Sequence, residues 1–298
     1  MKKLFILIAT IFSLINCSDP KSDKSIKKHF VIDDLNRKVF IEKEPQKVIS
    51  LAPNLTEILF DLGIGGKIIG NTTYCNYPDK SKNITKVGDL LSVDYEKIVS
   101  MKPDLIFITT EGNTKIVYDK LLSLNQNVFV SNPQTFTDIK KNYLTIAKIF
   151  NREKTALKKI SSWQAVEDSI KIISQSSEKS KVMFLVSTYP VILAGGKTFI
   201  NEYLKTLNLE NIAGDSKVMY PVFSREEIIK KNPDIILHTT HSSNQDDFFK
   251  KYSEWKNLKA IKYKNVFYLN PDIYFRPGPR YIEALKDLYQ RIRRRDRH

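Results

Sequence analysis

A sequence repeat constrains the fold of this chain more than any other feature. Residues 96–109 read EKIVSMKPDLIFIT, and residues 226–239 read EEIIKKNPDIILHT. In each copy a helical pattern ends at a proline and leads into an apolar strand of the kind that is buried on both faces. A generic helix–strand joint would explain one copy, but both copies also follow an Asn-Ile pair, at Asn83 and Asn211. The repeat therefore indicates two similar α/β units.

The region between the two copies has a different pattern. From residue 137 to about 176, apolar residues recur at helical spacing. Asn151-Arg152 divides this region into a shorter helix and a long helix of roughly twenty residues, ~30 Å in length. On both sides of it, short apolar strands alternate with helices, which is typical of parallel βαβ units.

The predicted fold is α/β, with two lobes that each have a central, mostly parallel sheet and flanking helices. One long helix joins the lobes. We assign residues 30–136 to the N-terminal lobe, 137–178 to the helical linker and 179–290 to the C-terminal lobe. A β-hairpin is predicted at 30–41 and a closing helix at 279–292.

The first 16 residues have the pattern of an export signal. Lys2 and Lys3 precede an apolar run of about a dozen residues, which is too short to cross a bilayer core of ~30 Å. The run ends in Leu14-Ile15-Asn16-Cys17, which resembles a bacterial lipobox and implies lipidation of Cys17. An ordinary signal peptide followed by a chance cysteine is the alternative. Residues 17–29 are polar and predict a flexible tether, so we expect a lipid-anchored protein on the outer face of the cytoplasmic membrane.

Charge and composition narrow the class of partner. The formal net charge is +15, and residues 291–298 form a basic tail of five arginines against one aspartate. The remaining charge is spread over helix faces rich in lysine and glutamate, which is typical of solvated surface, so we expect no nucleic-acid partner. We expect the tail to hang free, with contact to anionic lipid as the alternative. Cys75 is the only cysteine besides Cys17, which excludes a disulfide framework.

Motifs for enzymatic chemistry are incomplete. Residues 195–198 (GGKT) resemble the end of a phosphate-binding loop, but Val191 stands where that loop needs its first glycine. Neither a Gly-x-Ser-x-Gly nor a His-Glu-x-x-His motif occurs. His238 and His241, placed just past a strand end, are candidate metal or haem ligands, although we interpret them as polar loop residues. We expect no enzymatic activity; a metalloenzyme built on His238 is the alternative.

Four segments resemble a known family. Residues 48–57 (VISLAPNLTE), 74–78 (YCNYP), 96–104 and 276–280 (RPGPR) are similar to the helical-backbone substrate-binding proteins of ABC importers. The likeness is strongest to the cobalamin-binding members, and haem- and siderophore-binding relatives share the same frame. The resemblance implies a monomer without a cofactor of its own, which captures a metal chelate between its lobes and hands it to an ABC permease and its ATPase. A receptor or adhesion lipoprotein without a transport role is the alternative from another class.

The resemblance also implies where the permease would bind. One glutamate on top of each lobe pairs with arginines of the permease in the cobalamin binder, and these positions match Glu96 and Glu226. Exposed carboxylates of this kind orient a partner more than they tighten its binding. The alternative is that both acids only favour the N-terminal dipoles of their helices.

A ligand cleft is the second site that the resemblance implies. Tyr220 stands where the cobalamin binder has a tryptophan, whereas Leu90, Thr109 and Val186 replace aromatic residues. The loss of these rings leaves the ligand open between a corrinoid, haem and a ferric siderophore. The family's cleft positions, together with two nearby tyrosines that we expect to add aromatic surface, are Tyr74, Leu90, Thr109, Val186, Tyr189, Tyr220, Asp272, Tyr274 and Arg276.

Overall fold

The computed structural model describes residues 29–113, 115–240 and 252–295. The predicted signal peptide, Cys17, nearly all of the tether and His241 lie outside the described residues. In the described ranges, no helix has the length and apolar character needed to cross a membrane.

A β-hairpin opens the described chain, as the sequence predicts. Strands β1 (His29–Ile32) and β2 (Lys38–Ile41) pair in antiparallel register. Near the tip, the backbone N–H of Asp34 donates to the carbonyl of Val130. At the open end, the Asn127 side chain donates to the carbonyl of Phe40. The hairpin therefore runs along the edge of the first sheet, and the chain enters it at the amino end of that sheet.

The N-terminal lobe is built on a four-stranded parallel sheet with the order β4-β3-β5-β6. Its central strand, β5, is buried along its whole length, as predicted for a strand covered on both faces. The elements of this lobe are β3 (Val48–Ser50), α1 (Pro53–Asp61), β4 (Ile68–Asn71), α2 (Tyr95–Met101), β5 (Leu105–Thr109), α3 (Lys115–Ser123) and β6 (Val128–Ser131).

The C-terminal lobe repeats this design around a five-stranded sheet. Its order is β11-β10-β7-β8, with β9 paired to β7, and only the β7–β8 pair is antiparallel. The elements of this lobe are β7 (Lys181–Thr188), β8 (Val191–Leu193), α6 (Phe199–Thr206), β9 (Glu210–Asn211), α7 (Arg225–Lys231), β10 (Ile235–Thr239), α8 (Lys259–Lys262), β11 (Val266–Leu269), α9 (Pro271–Tyr274) and α10 (Tyr281–Arg295).

Two helices connect the lobes. Helix α4 (Phe136–Ile149) begins with a capping box, in which the Thr135 and Asp138 side chains accept each other's backbone N–H. Asn151, with a φ of 55°, ends it, and α5 (Glu153–Ser174) follows with 22 residues, ~33 Å in length. The predicted break and the predicted long helix are both confirmed.

Both copies of the repeat have the same backbone geometry. Helices α2 and α7 end at left-handed residues, Lys102 with a φ of 51° and Asn232 with a φ of 45°. In each copy, the aspartate that follows the proline accepts a hydrogen bond from the backbone of the segment that begins the neighbouring strand. Asp104 Oδ2 accepts the backbone N–H of Lys47, which lies before β3, and Asp234 Oδ2 accepts that of Lys181 in β7. These equivalent backbone angles and hydrogen bonds confirm the prediction of two similar α/β units.

The left-handed residue before Pro103 provides a test of this geometry. Because a lysine Cβ is strained at positive φ, Lys102→Gly is expected to raise the free energy of unfolding by about 0.5–1 kcal/mol, measured by urea denaturation. Asn232→Gly is the matched control, with a smaller gain because asparagine tolerates this conformation. If Lys102→Gly were less stable than the original protein, Lys102 would not be strained at this position.

A three-ring stack joins the linker to the C-terminal lobe. Tyr281 of α10 is fully buried between Phe136 of α4 and Tyr203 of α6, and the ring centroids are 4.4 Å apart on each side. The closing helix was predicted at 279–292, but it runs from Tyr281 to Arg295. The prediction of a free basic tail is wrong for residues 291–295, because α10 continues through them, with Ile292 buried and Arg291 paired with Asp287.

Candidate ligand-binding cleft

A cavity of about 260 Å³ lies between the two lobes. It is formed by loops at the carboxyl ends of the parallel strands, where ligands bind in open α/β sheets. The cavity brings together five of the predicted cleft residues from both lobes. These are Tyr74, Leu90, Thr109, Asp272 and Arg276.

The other four predicted cleft residues do not line this cavity. Val186 is half-buried against the core, and Tyr189 lies beyond β7 with 81% of its surface exposed. Tyr220 is half-buried, and its packing and the nearby charge of Glu111 raise the pKa of its phenol. The prediction that Tyr274 adds stacking surface is wrong: its ring is 1% exposed and its hydroxyl donates to Asp287.

Helix α9 explains why Tyr274 is misplaced and which ring replaces it. Asn270 caps the helix by accepting the Asp272 N–H, and this single turn directs Asp272 toward the cavity. Neighbouring residues of a helical turn point in different directions, so Tyr274 faces the core while Phe275 lines the cavity. Phe275 is not among the predicted cleft residues, although it immediately precedes the RPGPR segment.

A buried ion network fixes the floor of the cleft. Glu57 of α1, with 1% of its side chain exposed, accepts hydrogen bonds from Arg276 at 2.9 Å and from Arg280 at 2.8 and 2.6 Å. Because Glu57 belongs to the N-terminal lobe and both arginines to the C-terminal lobe, the network joins the lobes. These charges can be buried because the two guanidinium groups neutralise the carboxylate and donate hydrogen bonds to it.

The Nη donors of Arg276 are engaged within the protein. Its Nη1 donates to Glu57 and, at 2.8 Å, to the Asn76 side chain. Its Nη2 donates to the carbonyl of Tyr74 at 3.3 Å and to Asp272 at 2.5 Å. The four N–H bonds of the two Nη atoms therefore all have acceptors, and Asp272 is held by Arg276 and, at 2.8 Å, by Asn76.

Glu111 is a lining residue that the sequence analysis missed. It lies two residues beyond β5, its side chain is open to the cleft, and it has no hydrogen bond or ion pair with any described residue. The cleft walls partly desolvate its carboxyl, which raises the pKa of Glu111 to about 7 although the residue as a whole is exposed. An isolated acid in a loop carries no motif, so the sequence offered no signal for it.

Glu96 and Glu226 occupy the same place in the two lobes. Each is the second residue of its helix, in α2 and α7, and each is exposed. The caps are supplied by other side chains: Asp94 accepts the Lys97 N–H in α2, and Ser224 forms a capping box with Glu227 in α7. Neither Glu96 nor Glu226 forms an ion pair with another described residue, so both carboxylates are available to a partner.

The histidine prediction needs a correction. His238 lies inside β10 and pairs in register with Leu185 and Tyr268, because the strand continues to Thr239. Burial lowers the pKa of His238 to about 4 and keeps the imidazole neutral at pH 7. The described residues contain no group of three or more His, Cys, Asp or Glu side chains arranged to hold a metal ion. His241 lies outside the described residues.

The arrangement of two lobes around a cleft agrees with a comparison of the sequence with known families. Residues 48–273 match the profile of a family described as periplasmic binding protein. This chain is a member of the periplasmic binding protein family. Proteins of this family bind substrates and are not enzymes, which excludes the metalloenzyme alternative.

Individual relatives support the same family. An uncharacterized ABC transporter substrate-binding lipoprotein of Bacillus subtilis, YvrC, is 33% identical over 96% of this chain and 95% of its own. A vitamin B12-binding protein of Vibrio campbellii is 26% identical over 84% of this chain and 90% of its own. A possible iron-binding (periplasmic solute-binding) protein from Staphylococcus epidermidis has a crystal structure that superposes on this chain with a TM-score of 0.74. The two sequences are 31% identical, and the match covers 84% of this chain and 99% of that one.

Proposed function

We propose that this periplasmic binding protein captures a corrinoid, a cobalamin-like chelate, between its lobes and delivers it to the permease of an ABC importer. The observation that carries the proposal is the cleft cavity, in which Tyr74 and Phe275 supply aromatic surface and Asp272 supplies an acceptor for amide groups. A chelate larger than about 260 Å³ would extend beyond the cavity mouth. The Vibrio relative named for vitamin B12 supports a corrinoid, and haem or a ferric siderophore is the alternative cargo.

Titration of the full-length chain, purified in detergent, tests the cargo. Calorimetry is expected to show that cyanocobalamin binds with a dissociation constant below about 1 μM, equivalent to about 8 kcal/mol. Hemin and ferric siderophores are expected to bind at least about tenfold more weakly. If hemin or a siderophore binds and cyanocobalamin does not, the cargo is the alternative one and not a corrinoid. No binding of any chelate below micromolar would remove the importer role.

The proposal includes the location and the state of the protein. We propose that it acts outside the cytoplasm, which the relative named as an ABC transporter substrate-binding lipoprotein supports. We also propose that it is a monomer anchored through lipidated Cys17. Anchoring beside the membrane raises the effective concentration of the lobes at the permease. The permease and its ATPase are the proposed partners.

Glu96 and Glu226 are the proposed contacts with the permease. Their equivalent positions, their exposure and the independent caps of their helices support a role outside the fold. The presence of both acids also favours transport over a receptor or adhesion role, because a protein that never meets a permease has no need of this pair.

Charge reversal tests the docking pair. The double variant Glu96→Lys/Glu226→Lys is expected to lower uptake of cyanocobalamin at least about tenfold, in cells that carry the permease, because cations would then face arginines. Ligand affinity in calorimetry should stay within about twofold of the original. The matched control is Glu178→Lys/Glu210→Lys, which changes the net charge equally at other exposed acids and should leave uptake unchanged. A large loss of affinity in the first variant would contradict a docking role.

A further inference from the structure

The charge of the cleft differs from the charge of the chain. The formal net charge of the protein is +15, yet the described lining of the cavity holds two carboxylates, Glu111 and Asp272, and one guanidinium, Arg276. A ligand in this cavity would therefore meet a surface that is locally acidic, although the protein as a whole is basic.

The positive charge of Arg276 is already used within the protein and does not offset the acidic lining for a ligand. The four N–H bonds of its Nη atoms are directed at Glu57, Asn76, Tyr74 and Asp272. Moving the guanidinium toward an anionic ligand would break its ion pairs with buried Glu57 and with Asp272, which is costly. An anionic group of a ligand thus finds no available cation among the described lining residues.

Glu111 is the unengaged charge of the cleft. It enters from the N-terminal lobe, and Tyr220 of the C-terminal lobe lies close enough for the Glu111 charge to raise the pKa of its phenol. A ligand between the lobes would contact this carboxylate. An ionised carboxylate accepts hydrogen bonds and cannot donate them, so it favours amide N–H groups and cations and repels other carboxylates.

Building on the proposed function, we propose that Glu111 determines specificity by making the cleft select uncharged, amide-bearing or cationic chelates and reject anionic ones. An amide-rich corrinoid periphery satisfies this requirement, whereas the carboxylates of haem or of an acidic siderophore do not. The residue acts by direct contact with the ligand.

The selection depends on pH. Above its pKa of about 7, Glu111 is ionised and repels anions; below it, the carboxyl is neutral and donates a hydrogen bond as well. Among the described residues, the other titratable groups that line the cavity are Tyr74, Asp272 and Arg276, and Tyr220 lies near Glu111 outside the lining. The raised pKa of Tyr220 keeps its phenol neutral throughout this range, so discrimination against anions should increase as pH rises through 7.

Two ligands of equal shape and different charge test the proposal. Cyanocobalamin is compared with its derivative in which one side-chain amide has been hydrolysed to a carboxylate, by calorimetry on the full-length chain. At pH 8.5 the original protein is expected to prefer the uncharged ligand about tenfold, and at pH 6 about twofold. Glu111→Gln is expected to lower the preference to about twofold at both pH values. Glu210→Gln, which removes the same charge from an exposed strand, should keep the original pattern.

The outcomes separate this proposal from the proposed function. An equal affinity of the original protein for both corrinoids, or a tenfold preference that survives in Glu111→Gln, would overturn the role of Glu111 and leave the corrinoid function intact. If neither corrinoid binds, the proposed function fails, and hemin with its dimethyl ester forms a second charge pair. A preference for the ester that Glu111→Gln removes would still support the role of Glu111. If the protein shows no such preference for the ester, or binds none of the four compounds, the proposed role of Glu111 is overturned. A melting temperature of Glu111→Gln equal to the original confirms that the variant is folded.

Discussion

Replacing Glu57 with glutamine is expected to lower the free energy of unfolding by about 3–5 kcal/mol, because it removes one charge from a buried network. Arg280 then has no carboxylate partner among the described residues, and Arg276 keeps only Asp272. The side chains of the two arginines are only 8% and 11% exposed, so water does not replace the lost carboxylate. Urea denaturation followed by circular dichroism measures the change. Because the network also holds Asp272 and the Tyr74 carbonyl, ligand affinity should fall as well.

An exposed ion pair provides the control for Glu57. Lys115 and Asp119 pair on the surface of α3, with 84% and 52% of their side chains exposed. Asp119→Asn is expected to change the free energy of unfolding by less than about 0.5 kcal/mol. A loss in Glu57→Gln as small as that of the control would contradict the conclusion that this network holds the lobes together.

Removing the ring of Tyr281 is expected to have an effect of similar size. Tyr281→Ala deletes the middle ring of the stack and leaves a cavity between Phe136 and Tyr203, which costs about 3–5 kcal/mol. Because the stack joins the linker to the C-terminal lobe, unfolding should also become less cooperative. Calorimetric unfolding measures both changes, through the transition temperature and the width of the transition.

The hydroxyl of Tyr281 supplies a matched control. It is buried and has no hydrogen-bond partner among the described residues. Tyr281→Phe keeps the stacked ring and removes this unsatisfied group, so stability should stay the same or rise by up to about 1 kcal/mol. A loss comparable with that of Tyr281→Ala would show that the hydroxyl, and not the ring, accounts for the stability at this position.

The fold was predictable from the sequence because its determinants are local. The repeat, the break at Asn151 and the strand at 266–269 follow from prolines, left-handed residues and apolar runs that act within a few positions. The same signals do not fix the last turn of a helix. The closing helix extends three residues beyond its predicted end at 292, and in this extension Arg293 donates to the Tyr289 hydroxyl one turn earlier.

The site was only partly predictable, because it depends on contacts between distant parts of the chain. The engagement of Arg276 comes from Glu57, which lies 219 positions earlier. The orientation of Tyr274 depends on the direction of α9, a helix of four residues, which no periodicity can reveal. Glu111 acquires its raised pKa from walls contributed by both lobes, and a single acid in a loop gives no sequence signal.

The hairpin at the edge of the first sheet has a mechanical consequence for an anchored protein. The chain enters β1 at the amino end of the sheet, whereas the cleft cavity opens at the carboxyl end. In the proposed lipoprotein, 11 residues lie between Cys17 and His29, and a segment of this length spans at most ~40 Å. An anchor at Cys17 would thus hold the domain from the side opposite the cleft, and the domain would have to turn over to present its cleft to the membrane. With this anchor, the number of residues before His29 would limit how far the loaded protein can rotate at the membrane surface.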